Sequence, residues 1–223
     1  MLTRKDSSTS SCPDEECWFC MKDCCEITAG YTTRQRRVLH VVLWINVAMF
    51  VVEVTAGLLA HSTALLADSV DMLGDAVVYG FSLYVVGRGV VWQARGALLK
   101  GSIMAMFGVG VLAEVLMKVI GGILPVAETI GTVGAMALAA NAVCLALLWT
   151  RRHDDVNMRS AWMCSLNDVA GNVGVLLAGA GVALTTSAWP DIVVGLLIAV
   201  LFVTSAVAVL RSARRQLRTV AVS

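Results

Sequence analysis

The chain has 223 residues, 58% of them hydrophobic and only 15% charged, with a formal net charge of +1. Its mean hydropathy of +0.78 excludes an ordinary soluble domain of this length, and repeated long apolar segments read as membrane spans. The net charge decides nothing by itself, because its distribution matters more, and no nucleic-acid partner is expected.

Residues 1–30 are polar and contain Cys12, Cys17, Cys20, Cys24 and Cys25. They lack the apolar core of a cleavable signal peptide, so the chain is expected to be the mature protein. Without apolar periodicity, this segment is expected to be largely disordered in the absence of a ligand. Residues 32–37 are basic. Six apolar segments follow, at about 38–60, 62–87, 101–124, 127–149, 157–185 and 190–210. Each is long enough to cross a hydrocarbon core of about 30 Å. Only His61-Ser62 separates the first two, so a tight outer turn is expected there. The fold class is therefore an all-α integral membrane protein of six transmembrane helices. Residues 1–33 form a Cys-rich cytoplasmic segment, 34–212 the transmembrane domain and 213–223 a short basic tail.

Arginine and lysine orient the bundle. One set of span ends holds Arg34, Arg36, Arg37, Arg88, Arg95, Lys100, Arg151, Arg152, Arg159, Arg211, Arg214, Arg215 and Arg218; the other holds at most Lys118, inside the third span. The positive-inside rule then places both termini in the cytoplasm, the membrane being a bacterial inner one by expectation. Trp44, Trp92, Trp149, Trp162 and Trp189 fall near span ends, where indoles favour the interface. The seven cysteines face a compartment that keeps thiols reduced, which argues against a disulfide framework.

The chemistry lies in the second and fifth spans. Asp68, Asp71 and Asp75 are spaced to share one helix face inside an otherwise apolar stretch, where a charge is costly and usually marks an ion or proton path. Cys164 and Asp168 form a second pair four apart. Two facing helices with Asp71, Asp75, Cys164 and Asp168 can build a four-coordinate metal site. Three carboxylates and a thiolate suit Zn²⁺, Cd²⁺ or a related ion and disfavour Mg²⁺ and Ca²⁺. Four deprotonated ligands carry −4, and M²⁺ leaves −2. Without metal that charge cannot persist in a low-dielectric setting, so the ligands take up protons. Metal and protons then compete, and if the site faces alternate sides of the membrane, exchange of metal for protons is expected. A structural role in a hydrogen-bonded core would account for one such acid better than for this set. A depth count leaves a mismatch: Asp71 lies about 15 Å of helix from the turn at His61, and Asp168 about 25 Å from Thr185. The pairs meet only if the fifth helix tilts strongly or projects beyond the bilayer.

The run from Gly57 to Asp75, with Ser62-Thr63-Ala64-Leu65-Leu66-Ala67-Asp68-Ser69-Val70-Asp71-Met72-Leu73-Gly74-Asp75, resembles the second helix of the cation diffusion facilitator family. The pair on the fifth span, the small-residue run from Asn172 to Leu176, Asn46 and Glu53, Asn141, and Trp189-Pro190-Asp191 are similar to it as well. The likeness covers about residues 38–210. It implies the family's six-helix fold, efflux of Zn²⁺ and related divalent ions as transported substrates, proton coupling and a homodimer. Cys164 stands where the family usually has His or Asp, which raises Cd²⁺ and Co²⁺. The chain stops soon after Arg218, so it is expected to be a short, membrane-only member without the family's cytoplasmic α+β domain.

Among the remaining polar residues, Asp68 is a candidate proton relay or a partner for a nearby polar group. Asn172 is a candidate for support behind the ligands. Asn46 and Glu53 share a face and are expected to hydrogen-bond the core. Glu114 and Lys118 are expected to neutralise each other. Cys144 reads as packing, and His61 and His153 as solvated. The N-terminal cysteines suit capture of soft metal ions, against the plainer reading of an unstructured tail. Two other functions compete with efflux: a membrane-anchored soft-metal sensor or chaperone, and an uptake carrier for a thiophilic ion. An enzyme is not expected, because no nucleophile–base set or nucleotide-binding Gly motif is present.

Overall fold

The computed structural model describes residues 32–85, 90–154 and 156–222. Within them the chain forms six helices and no strand: α1 (Thr33–Ala60), α2 (Thr63–Val85), α3 (Val90–Gly121), α4 (Ala127–Trp149), α5 (Val156–Thr185) and α6 (Trp189–Val222). Five of them are long and apolar enough to cross a membrane. The sixth, α2, carries the three aspartates yet has every residue from Thr63 to Val70 buried. It packs against α1, α3, α5 and α6 and is the inner helix of the bundle. The protein is thus an all-α, multi-pass integral membrane protein. The N-terminal cysteines lie outside the described residues.

Local chemistry sets the helix ends. Thr32 caps α1 in a reciprocal box: its hydroxyl accepts from the Gln35 backbone N–H (3.3 Å), and the Gln35 side chain accepts from the Thr32 N–H (2.7 Å). That satisfies two of the amides a helix start leaves open. At the other end His61 adopts a left-handed conformation (φ 50°), and the Ser62 N–H returns to the Gly57 carbonyl at 2.9 Å. This is the tight turn that His61-Ser62 implied, with His61 exposed.

Each end of the bundle can be read from its cross-links. Gln35 donates to Asp154 (3.5 Å), joining the α1 start to the α4–α5 connection and grouping Arg36 and Arg37 with Arg151 and Arg152. Gly101 lies against Leu210, bringing the early part of α3 to the level of Arg211. At the opposite end the Val126 N–H bonds the Ala60 carbonyl (3.0 Å). Apart from Lys118, the described basic residues therefore share one end, as the positive-inside pattern requires. Trp149 there meets Trp162 edge-on at 5.6 Å and lies 3.7 Å beneath the Arg152 guanidinium.

The outer end is locked by a buried ion pair that corrects one expectation. Lys118 does not pair with Glu114 on its own helix; its ammonium reaches Asp191 of α6 at 2.6 Å, with both side chains essentially inaccessible, and also bonds the His61 carbonyl. Asp191 accepts from the Ser62 hydroxyl (2.5 Å), the Thr63 hydroxyl (2.6 Å) and the backbone N–H groups of Thr63 (2.8 Å) and Ala64 (3.3 Å). It thus caps α2 from another helix, where the exposed amides and the helix dipole favour an anion. A carboxylate fixed this way is a better partner than Glu114, which would have to be desolvated for Lys118 alone.

Candidate metal centre

Asp71, Asp75 and Asp168 converge. One carboxylate oxygen from each lies within 4.8 Å of the others. Asp75 and Asp168 are buried at 6% and 5% exposure, and Asp71 is half-buried. The i, i+4 spacing puts the first two on one face of α2, and α5 crosses that face: Gly171, three residues beyond Asp168, stands 3.7 Å from an Asp68 oxygen, measured from the Cβ position it lacks.

The depth mismatch has a packing explanation. Gly181 lies against Pro190, and Asp191 holds Ser62 and Thr63. Gly181 is therefore level with the start of α2, and Thr185 projects about 6 Å beyond it. Measured from that level, Asp168 lies about 20 Å deep, close to Asp75 at about 18 Å and deeper than Asp71 at about 12 Å.

The fourth expected ligand stands apart. Cys164, one turn before Asp168, is half-buried, and its sulfur is not one of the clustered ligand atoms. The other candidates occupy the bundle core. Asp68, Glu53 and Asn172 are all buried. Asn172 donates to the Asp168 backbone carbonyl (2.7 Å), not to its carboxylate. Asn46 donates to the Val42 carbonyl (2.9 Å). Neither oxygen of Glu53 has a hydrogen-bond partner among the described residues, against the expected core hydrogen bond. Cys144 is buried as a free thiol in an apolar cluster with Leu39, Val42, Tyr79 and Leu148, as a packing residue should be.

An apolar layer lies outside the carboxylates: Ala64, Leu65, Ile130, Val175 and Ala178 form one buried cluster. Beyond it sits the Lys118–Asp191 lock, which sequence reasoning missed. Its only signal was a lysine and an aspartate, each near an outer span end, 73 residues apart.

The family model for the cation efflux transmembrane domain matches residues 39–89 and 92–218. Among curated relatives, the metal cation efflux system protein CzcD of Cupriavidus metallidurans is 24% identical over 176 residues, 73% of this chain and 55% of the relative. The cation efflux system protein CzcD of Alcaligenes sp. strain CT14 matches equally well. The chain spans about half the length of these relatives. With the membrane-domain match running through all six helices, the chain belongs to the cation efflux family, which comprises transporters and not enzymes.

Proposed function

We propose that the protein exports a divalent transition-metal cation from the cytoplasm in exchange for protons, with Asp71, Asp75 and Asp168 as carboxylate ligands and Cys164, as thiolate, joining them. The observation that carries this reading is the convergence of three carboxylates in a membrane bundle whose buried lysine is already committed to Asp191. Three carboxylates held this close cannot all stay ionised without a cation. A divalent metal supplies that charge, and protons supply it when the metal leaves. Carboxylate oxygen with one sulfur suits Zn²⁺, Cd²⁺ and Co²⁺. The relatives' printed names, metal cation efflux and cation efflux, support the direction.

Metal binding should therefore release protons. Titrating each ion into lightly buffered detergent-solubilised protein, with a pH indicator present, should show about two protons released per ion bound. Asp168→Ala should lose both the binding and the release. Binding with no proton release would refute the exchange, and undiminished binding by the variant would refute the site.

A further inference from the structure

Two asparagines near the carboxylates have unanswered polar atoms. Asn46 and Asn141 are each 1% exposed. Asn46 uses its amide N–H₂ on Val42, but its Oδ1 has no partner among the described residues, and neither Oδ1 nor Nδ2 of Asn141 has one. An unmet buried polar group costs on the order of 1–3 kcal/mol, so these amides need an occupant.

Packing brackets their position from both sides. Met49 of α1, Met72 of α2 and Ala137 of α4 share one cluster. Val42, Tyr79 and Cys144 share another, nearer the cytoplasmic end. Between those levels α1 offers Asn46, α2 offers Asp75 and α4 offers Asn141, all on the buried stripes of their helices. The α4–α5 packing agrees: Gly179 lies against Ile130, and Gly134 against Val175 and Leu176. Continuing that antiparallel register inward sets Asn141 opposite Asp168.

We propose that Asn141 and Asn46 supply amide oxygens to the cation held by Asp75 and Asp168, giving it an oxygen-rich shell of more than four ligands. The proposal rests on the carboxylate centre described above. Neutral donors raise the ligand number without adding negative charge to an already anionic site. They favour ions that accept five or six ligands, such as Co²⁺ and Cd²⁺, over an ion held in a strict tetrahedron.

The test is the visible absorption of Co²⁺ bound to the full chain, which is intense for four-coordinate and weak for six-coordinate geometry. It is read as the difference from Asp75→Ala so that ions on the N-terminal cysteines cancel. Wild type should give the weak spectrum. Asn141→Leu and Asn46→Leu should bind Co²⁺ about tenfold more weakly, the scale of removing one supporting group from a metal site, with a several-fold more intense spectrum. Asn141→Asp, which keeps the oxygen, should hold the weak one. An intense four-coordinate spectrum in wild type overturns the proposal without recourse to any variant, as do unchanged affinity and spectrum in the leucine variants. If Asp75→Ala binds Co²⁺ as wild type does, the carboxylate centre itself fails, and this proposal with it.

Discussion

Lys118 and Asp191 show what an intramembrane charge requires of its neighbours. Both are buried, and removing one partner leaves the other uncompensated, a loss of about 3–5 kcal/mol. Lys118→Met should therefore lower the thermal unfolding temperature in detergent markedly, whereas Glu114→Gln, which breaks no observed pair, should change it little; equal effects would contradict the assignment. Asp71 and Asp75 stood out in the sequence because acids at i, i+4 in an apolar helix are costly, and Asp168 because it is a further acid inside an apolar span. Lys118 was misread because the nearest acid in sequence was not the nearest in space. Asn141 passed unweighted because a neutral amide in a span leaves no charge signal, only an orphaned hydrogen-bonding group once the core is assembled. Cys164 was identified by spacing, but its sulfur lies outside the cluster. If it joins as a thiolate, Cys164→Ser under reducing conditions should weaken Cd²⁺ binding by about tenfold or more and Zn²⁺ binding less; equal effects on both ions would remove it from the ligand set.

At the scale of the element, α2 is the organising piece. Its apolar residues from Ala64 to Ala67 fill the core, its start is capped by α6, and its inner half carries Asp71 and Asp75 of the carboxylate cluster. Close approach to α6 depends on Gly195, where a Cβ would stand 2.7 Å from the Thr63 backbone carbonyl carbon. Gly195→Ala should destabilise the bundle by about 1–3 kcal/mol, read as a lower unfolding midpoint. An unchanged midpoint would mean that α2 and α6 separate at little cost. The helices were legible from apolar length, and the first turn from His61-Ser62. Their full extents were not: α3 and α6 run on past their apolar stretches as Val90–Gly121 and Trp189–Val222, where charged residues continue a helix that hydropathy alone would end.

For the whole molecule, the outer end is closed twice, by the apolar layer around Leu65 and Ile130 and by the Lys118–Asp191 lock. The proposed export through that end would require α2, α3 and α6 to part there. The depth of the site was the one global feature that sequence counting put in doubt, because the level of α5 against α2 is set by Gly181 on Pro190 and Asp191 on Thr63, contacts that no local pattern encodes. The proposed exchange is tested most directly by uptake of Zn²⁺, Cd²⁺ and Co²⁺ into inside-out vesicles with an imposed proton gradient, for wild type and Asp75→Ala. Gradient-dependent uptake of at least one ion, lost in the variant, is the expected result; no gradient-dependent uptake in wild type, or uptake equal in the two, would contradict metal–proton exchange at this site.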